Sequence, residues 1–233
     1  KKIKEILGEE GLVGLNITIP FKEQIINVLR KQDSQEGAIS QSAKKINAVN
    51  CIYKSKKTGT WIGENTDGHG FLMAIKPFEK KILGETAIVV GYGGASKAII
   101  SALYSKFKNI KLFNRSFEKI KNIQTQNNKI KTFKLEDLHK HTFGADLIIN
   151  TTPTNVLKNK SDLKIQNTTI GFDVVYRPRQ GTGFLKAFSE EKRIEGIRML
   201  AYQAAPCFER WFGVMPEIDK ELMSTLYEEM ESA

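Results

Sequence analysis

The sequence predicts an α/β protein with two domains, one of which is built on a doubly wound parallel sheet. From residue 86 onward, apolar β-rich runs alternate with helical stretches at the spacing of β-α-β units. Before residue 86 the strand candidates are short, and turns separate them. A chain of 233 residues can form one large domain or two small ones. The change in the pattern of strands and helices at residue 86 favours two domains.

The composition is that of an ordinary globular protein. Hydrophobic residues make up 40% and charged residues 27%, with 6 Pro and 18 Gly, which excludes disordered and collagen-like chains. No apolar run approaches the roughly 20 residues that span a bilayer, so we expect a cytoplasmic protein with no membrane partner. Cys51 and Cys207 are too few for a disulfide framework, and we expect both to be reduced and buried.

The formal net charge is +10, which would suit nucleic acid or anionic small molecules as partners. The 36 Lys and Arg residues are scattered, without an aromatic-interleaved basic motif or a basic helix that would enter a groove. We therefore predict a solvated basic surface with a mild attraction for anions and no nucleic-acid partner.

The first part of the chain contains three strand candidates. Residues 14–20 are β-branched and end at a proline, which predicts a short strand, with Lys22 at the start of the helix that follows. Residues 48–53 and 60–63 form a strand pair around a Gly-containing turn. Residues 65–68 are turn and cap residues, and they predict the start of a helix that carries Phe71.

The second part follows a β-α-β pattern. Residues 86–92 form a continuous apolar run typical of a buried parallel strand, and residues 96–106 follow as a helix. Further strands are predicted at residues 109–115, 129–134, 146–151 and 169–176. The tail, residues 216–233, predicts a helix with one apolar stripe, formed by Ile218, Leu222, Leu226 and Met230.

A glycine turn joins the strand at 86–92 to its helix. Gly91 permits a tight turn, Gly93 lets a pyrophosphate approach the backbone, and the helix N-terminus beginning near Gly94 and Ala95 attracts that anion. Ser96 stands where the third glycine of the strict fingerprint would be, so a plain turn is the alternative. The strand and helix around it favour dinucleotide binding.

The next strand ends in residues that favour NADP over NAD. An NAD-binding fold presents a carboxylate to the ribose there, whereas this chain has Asn114, Arg115 and Ser116, followed by Lys119. A guanidinium pairs with a 2'-phosphate and can stack on adenine. Ordinary surface cations at a strand end are the alternative.

Two further features are site candidates, and a pair of histidines is rejected as one. Residues 150–154 close a long apolar strand at the same carboxyl edge, where ligands bind in open α/β sheets, although a capping loop is the simpler interpretation. Lys22 and Asp67 are the pair we select for proton transfer, with exposed surface charges as the alternative. His139 and His141 lack a carboxylate or thiolate cluster, so we predict that they are exposed and that there is no metal site.

In chain order, eight short motifs resemble the shikimate dehydrogenase family, and together they span nearly the whole chain. They are GLNITIPFK at 14–22, INAVN at 46–50, NTDG at 65–68, GYGGAS at 91–96, NRS at 114–116, NTTP at 150–153, DVVY at 173–176 and MLAYQA at 199–204.

The resemblance implies an N-terminal α/β substrate domain, a Rossmann-type NADP domain and C-terminal helices that return to the first domain. The implied boundaries are residues 1–68 with 203–233 for the substrate domain, and 69–202 for the NADP domain. The implied reaction is reversible, NADP-dependent reduction of 3-dehydroshikimate to shikimate on the route to chorismate and the aromatic amino acids. A homodimer is left open.

The resemblance also implies a role for each matching residue. Lys22 and Asp67 correspond to the catalytic pair. The substrate-binding positions are Thr18, Asn50, Tyr176 and Gln203. The cofactor-binding positions are Gly91, Gly93, Gly94, Ala95, Asn114, Arg115, Ser116, Lys119, Thr151, Val174, Gly196 and Met199.

One departure concerns the family's first strand and its Ser-x-Ser loop, which holds the substrate carboxylate. Nothing like it precedes Lys1, so we expect either a fragment or a sequence that omits the beginning. Three alternatives stay open: a quinate or dual quinate/shikimate dehydrogenase that uses NAD, a non-catalytic NADP-binding module of the same fold, and a nucleic-acid-binding protein. Arg115 argues against the first, and the presence of both Lys22 and Asp67 argues against the second.

Overall fold

The protein contains two β-sheets that are joined by helices. This computed structural model describes residues 2–32, 39–158, 163–177 and 182–231. The strands are β1 (Gly14–Asn16), β2 (Cys51–Lys54), β3 (Trp61–Glu64), β4 (Thr86–Val90), β5 (Asn109–Asn114), β6 (Ile130–Lys134), β7 (Leu147–Asn150), β8 (Ile170–Asp173) and β9 (Arg193–Glu195). The α-helices are α1 (Lys2–Ile6), α2 (Ile25–Gln32), α3 (Gln41–Ile46), α4 (Asp67–Ile75), α5 (Gly94–Leu103), α6 (Ile123–Gln126), α7 (Gly196–Phe212) and α8 (Lys220–Glu231).

The second sheet confirms the predicted doubly wound architecture. Its six strands are all parallel, in the order β6-β5-β4-β7-β8-β9. From β4 the chain first adds β5 and β6 on one side and then β7, β8 and β9 on the other, so the direction of strand addition reverses beside β4. In open α/β sheets, ligands bind at such a switch point. The strands predicted from the sequence are present with shorter bounds. β9 was not predicted, because only Ile194 of its three residues is fully buried and the apolar signal is too short.

The first sheet is antiparallel, in the order β1-β2-β3. The prediction of a strand over residues 14–20 was too long, since β1 ends at Asn16. Pro20 has no N–H for a sheet ladder, and the Phe21 amide donates to the Thr18 carbonyl, which closes a turn. Lys22 therefore lies in this turn, three residues before α2, and not at a helix start as predicted.

Apolar packing explains why the sheets are placed as they are. One face of the parallel sheet is covered by α4, α5 and α7, whose buried side chains include Phe71, Ile99 and Met199. Short 3-10 segments cover the opposite face, with Leu138 and Phe184 in contact with the sheet. The antiparallel sheet packs on α2 and α3 through a smaller core.

Helices α4 and α7 connect the two sheets. Met199, in the first turn of α7, packs in the core of the parallel sheet, while Trp211 near its end donates to the Ile52 carbonyl of β2 at 3.0 Å. Gly70 allows α4 to approach α7 closely, because a Cβ at this position would lie 2.7 Å from Gln203 Cβ. None of the helices in the described ranges combines the length and apolar character needed to cross a bilayer.

Candidate active site

Lys22 and Asp67 meet, although 45 positions separate them in the chain. Lys22 Nζ lies 2.7 Å from Asp67 Oδ2, and the side chains are 14% and 4% exposed. The turn before α2 supplies the lysine and the first residue of α4 supplies the carboxylate. The alternative that these were exposed surface charges is wrong. The pair forms a charge-assisted hydrogen bond largely shielded from water, which suits an exchangeable proton.

Asn50 links this pair to α7. Its Nδ2 donates to Gln203 Oε1 at 2.8 Å and lies 3.2 Å from Asp67 Oδ1. Gln203 also donates from Nε2 to the Leu200 carbonyl, which fixes the orientation of its amide. Segments that are far apart in sequence thus join one carboxylate and two amides to the Lys22 ammonium in one hydrogen-bonded network.

Two residues of the NTDG motif contribute more than the sequence indicated. The Thr66 hydroxyl donates to the Gln203 carbonyl at 2.8 Å and accepts from Asn50 Nδ2 at 2.8 Å, while its amide donates to Asn50 Oδ1. Asn65 accepts from the Asp67 amide through Oδ1 and donates to the Ala48 carbonyl. Both are buried. Their turn chemistry was visible in the sequence, but these partners were not.

The glycine turn has the geometry that an anion site requires. Gly91 adopts φ +102°, and a Cβ there would lie 2.4 Å from Thr151 Oγ1, so only glycine fits. A Cβ at Gly93 would meet nothing within 4 Å, which leaves the backbone open on that side. Ser96 is committed to structure, because its hydroxyl donates to the Gly91 carbonyl at 2.6 Å. The first N–H groups of α5 have no hydrogen-bond acceptors within the helix, and they form the positive end of the helix dipole.

The glycine turn touches the Lys22 segment directly. A Cβ at Gly94 would lie 3.1 Å from Lys22 Cβ and 3.4 Å from Ala48 Cβ. The Lys22–Asp67 pair and the helix N-terminus therefore adjoin each other at the boundary between the two sheets, which we call the cleft.

A cavity of about 620 Å³ lies at the end of β5, where the adenosine half of a dinucleotide is expected. Its lining includes Arg115, Lys134 and Glu136, and Lys134 Nζ lies 3.6 Å from Glu136 Oε1. Asn114 donates to the Ser116 carbonyl at 2.9 Å and fixes the loop that carries Arg115. Because Lys134 is paired with Glu136, Arg115 is the side chain of this lining that best fits the phosphate of a phosphorylated nucleoside.

Comparison with known proteins agrees with this geometry. A family model described as shikimate / quinate 5-dehydrogenase matches residues 73–174, and one described as shikimate dehydrogenase substrate binding domain matches residues 1–52. The shikimate dehydrogenase (NADP(+)) of Bartonella tribocorum is 34% identical over 233 residues, covering 94% of this chain and 77% of the relative. The chain belongs to the shikimate dehydrogenase family.

Solved structures of shikimate dehydrogenases are similar in fold to this chain. A shikimate dehydrogenase crystallised with NADP+ superposes with a TM-score of 0.74 at 31% identity, covering 94% of this chain and 77% of the other. Shikimate 5-dehydrogenase from Thermus thermophilus, in complex with NADP(H) and shikimate, gives a TM-score of 0.73 at 27% identity, covering 99% of this chain and 82% of the other.

Other positions implied by the family resemblance lie along the carboxyl edge of the parallel sheet. Thr151 donates to the Val90 carbonyl at 2.7 Å and braces the glycine turn. Gly196 starts α7 against the loop after β8, since a Cβ there would lie 2.3 Å from the Val174 carbonyl oxygen. Val174 and Gly196 are therefore in contact through their backbones, beside the carboxyl end of β8.

Four positions are less closely tied to the cleft residues. Thr18 is exposed in the turn before Lys22, and Tyr176 is half-buried after β8. Lys119 is exposed at the end of a 3-10 turn behind Arg115. Met199 is buried in the core of the parallel sheet.

Asn150 and Asp173 form a buried polar cluster at the ends of β7 and β8. Asn150 Nδ2 donates to Asp173 Oδ1 at 3.1 Å, and the Thr182 hydroxyl donates to Asp173 Oδ2 at 2.7 Å. Burial raises the pKa of the Asp173 carboxyl above its usual value, and these hydrogen bonds offset part of that effect. The cluster fixes the loops that follow both strands.

The two cysteines are free and buried, as predicted. They meet behind the substrate side of the cleft, where the Cys207 thiol donates to the Gln203 carbonyl at 3.3 Å. The hydrogen bond between the two thiols, together with burial, raises the pKa of Cys51, while the same bond lowers the pKa of Cys207.

The prediction of exposed histidines was wrong, since His139 and His141 are both half-buried. The His141 ring packs on Phe133 with ring centroids 4.2 Å apart, an aromatic contact that the sequence spacing did not indicate. His139 Nδ1 lies 2.9 Å from the Glu136 carbonyl oxygen within the same short turn. Within the described residues, no cluster of acidic, histidine or cysteine side chains is suited to a metal ion.

Proposed function

We propose that the protein is an NADP-dependent shikimate dehydrogenase that interconverts 3-dehydroshikimate and shikimate. One observation carries the proposal: the Lys22–Asp67 pair lies in the cleft bordered by the glycine turn at the start of α5. A redox enzyme of this kind needs a proton donor beside the carbon that exchanges a hydride, and the cleft offers that arrangement.

Lys22 is assigned to the reacting oxygen. Reduction of the ketone places negative charge on that oxygen, and the Lys22 ammonium stabilises this charge and donates the proton. Asp67 holds the ammonium in place at 2.7 Å and keeps the site near neutral. In the reverse direction the same lysine accepts the proton from the alcohol.

Asn50 and Gln203 are assigned to the substrate hydroxyls, with Thr18 and Tyr176 as further contacts. The Asn50 amide lies beside Asp67 and is hydrogen-bonded to the Gln203 amide, so a polyhydroxylated ring can exchange its hydrogen bonds with theirs. The small cluster of polar donors explains why a sugar-like acid fits the cleft better than an apolar ligand.

NADP(H), when bound, supplies or accepts the hydride. The first turn of α5 with Gly93 and Gly94 would hold the pyrophosphate, and Arg115 with its neighbours Asn114, Ser116 and Lys119 would hold the adenosine phosphate. Thr151, Val174, Gly196 and Met199 are assigned to the nicotinamide half. We assign residues 69–202 to cofactor binding and residues 1–68 with 203–233 to substrate binding. We propose that the enzyme acts in the cytoplasm. Sedimentation would test whether it forms a homodimer.

The test is an absorbance assay of NADPH at about 340 nm, a wavelength at which reduced nicotinamide absorbs. Wild type and Lys22→Ala are supplied with shikimate or quinate and with NADP or NAD. We expect turnover with shikimate and NADP if the family's N-terminal segment is present, and a loss of about 100-fold or more in kcat for Lys22→Ala with little change in NADP affinity.

Lys57→Ala is the matched control, because Lys57 is exposed in the turn between β2 and β3. It should retain the turnover of the wild type. Unchanged turnover in Lys22→Ala would remove this lysine from the mechanism, and preference for quinate with NAD would favour the alternative enzyme.

A further inference from the structure

An ion pair crosses the cleft next to the Lys22 segment. Lys97 Nζ lies 2.8 Å from Glu23 Oε2, and Glu23 follows Lys22 directly in the chain. Lys97 belongs to α5, in the turn of helix that follows the glycines, where its amide donates to the Gly93 carbonyl. The pair thus joins the segment that carries the proton donor to the helix assigned to the cofactor.

Lys97 is held in a defined position on the cofactor side. Its ammonium lies 5.2 Å from the centre of the Tyr92 ring, and Tyr92 stands between the glycines of the turn. The Lys97 side chain is 15% exposed and that of Glu23 is 43% exposed. A cation fixed by an aromatic face and shielded from water loses less side-chain entropy on pairing than a lysine in solvent.

The surrounding contacts show that the pair lies at the seam between the two sheets. Lys45 and Ile46, from the end of α3, line a cavity of about 200 Å³ together with Tyr92, Lys97 and Ile100. The seam is therefore incompletely packed beside the ion pair. Direct contact is made instead at Gly94, where the helix backbone faces the stem of Lys22.

We propose that Lys97 and Glu23 form a clasp that sets the position of Lys22 relative to the glycine turn when the cleft is competent for reaction. The proposal rests on the proposed function. Lys97 and Glu23 are positioning residues: Glu23 acts through its neighbour Lys22, and Lys97 acts through Glu23. A displacement of about 1 Å between reacting groups can cost a hundredfold in rate, so a clasp at this point controls turnover.

The experiment compares Lys97→Met, Glu23→Gln, the double variant and the charge-reversed Lys97→Glu/Glu23→Lys. We expect each single variant to lower kcat about three- to tenfold, the double variant to lower it no further, and the reversed pair to recover part of the loss. Lys97→Arg should keep most of the wild-type kcat. Added salt should lower the kcat of the wild type toward that of Glu23→Gln, because Glu23 is accessible to ions.

The Lys106–Glu79 ion pair is the matched control. It has a similar distance of 2.9 Å, but it joins the segment after α5 to the segment after α4, away from the cleft, and its side chains are 41% and 62% exposed. Lys106→Met and Glu79→Gln should leave kcat unchanged. A loss of kcat in these variants equal to that in the clasp variants would overturn the proposal.

NADP affinity, measured by calorimetry without turnover, separates the clasp from a direct phosphate contact. The clasp predicts equal, small changes in NADP Kd for Lys97→Met and Glu23→Gln. Weaker binding in Lys97→Met alone would make Lys97 a phosphate ligand and overturn the proposal.

Urea unfolding of the wild type, the two single variants and the double variant supplies a second readout. Strictly additive effects on the free energy of unfolding would contradict a direct ion pair, whereas coupled effects would support it. An inactive wild type that carries the family's Ser-x-Ser loop would refute the proposed function, and the unfolding cycle would still decide whether the ion pair forms.

Discussion

At the scale of single residues, the important feature is how the Lys22 charge is compensated. Asp67 is almost fully buried, its carboxylate accepts from Lys22 and Asn50, and its amide donates to Asn65. A buried carboxylate without such partners would be costly to desolvate. The site therefore combines the Lys22 ammonium, which can donate a proton, with neighbours that keep the Asp67 carboxylate in place.

Arg115 gives the prediction that belongs to this scale. Arg115→Ala should raise the Kd for NADP about 10- to 100-fold and change the Kd for NAD by less than about threefold, because a charged hydrogen bond to the 2'-phosphate contributes roughly 1.5–3 kcal/mol. Calorimetric titration with each dinucleotide measures both constants.

Lys131→Ala provides the control for a general effect of charge. Lys131 is exposed on β6 of the same sheet and does not line the Arg115 cavity. If Arg115→Ala weakened both dinucleotides equally, or no more than Lys131→Ala does, the assignment of Arg115 to the 2'-phosphate would be refuted.

At the scale of elements, an aromatic stack couples the edge of the parallel sheet to the segment that follows β6. Phe113 of β5 stacks on Phe133 of β6, and the His141 ring packs on both. Burial, followed by the nearby Lys111 ammonium, lowers the pKa of His141 below its usual value of about 6.5. The neutral ring is therefore the form that the folded state prefers.

The consequence is a loss of stability on the acid side. Because the folded-state pKa is depressed, the contribution of His141 is present above pH 6.5 and is lost as the pH falls from there through the folded-state pKa. The urea midpoint of the wild type should fall between about pH 7.5 and about pH 5.5 by more than that of His141→Phe. His141→Leu should show the same weaker dependence of the urea midpoint on pH, with a different absolute stability. If the pH dependence of both variants matched the wild type, His141 would not be the group responsible.

At the scale of the whole molecule, α4 and α7 unite the two sheets, and glycine permits their close contact. A Cβ at Gly70 would lie 2.7 Å from the Met199 carbonyl oxygen as well as from Gln203. The same contact positions Gln203 beside Asn50. The packing of the molecule and the geometry of the site are therefore linked through one residue without a side chain.

Gly70→Ala should lower the free energy of unfolding by about 1–2 kcal/mol, because overpacking costs more than the gain in helix propensity returns. It should also reduce kcat by displacing Gln203. Gly68→Ala, on the same helix, is the control, since its Cβ would meet its nearest neighbour, the Ala98 carbonyl oxygen, at 3.3 Å. Denaturation by urea measures the stability of both variants. Equal stability of Gly70→Ala and wild type would show that α4 and α7 have room to separate.

Local patterns predicted most of the parallel sheet, since β4, β7 and β8 are short, mostly apolar runs at the spacing of β-α-β units, as buried parallel strands require. Shorter or mixed signals failed. β9 contributes one buried side chain, and the turn at Pro20 shortened β1 and removed Lys22 from its expected helix. α7 contains Pro206 in its interior, so its 17 residues are continuous because packing against both sheets outweighs the local penalty.

By itself, the sequence determined the parallel-sheet architecture, the glycine turn and the residue types available for proton transfer, because these depend on periodicity and on contacts within a few positions. Tertiary structure alone decided that Lys22, Asp67, Asn50 and Gln203 converge, and that Glu23 reaches Lys97. Those contacts join segments up to 153 positions apart. Their formation depends on how α4 and α7 pack against both sheets, which no local pattern encodes.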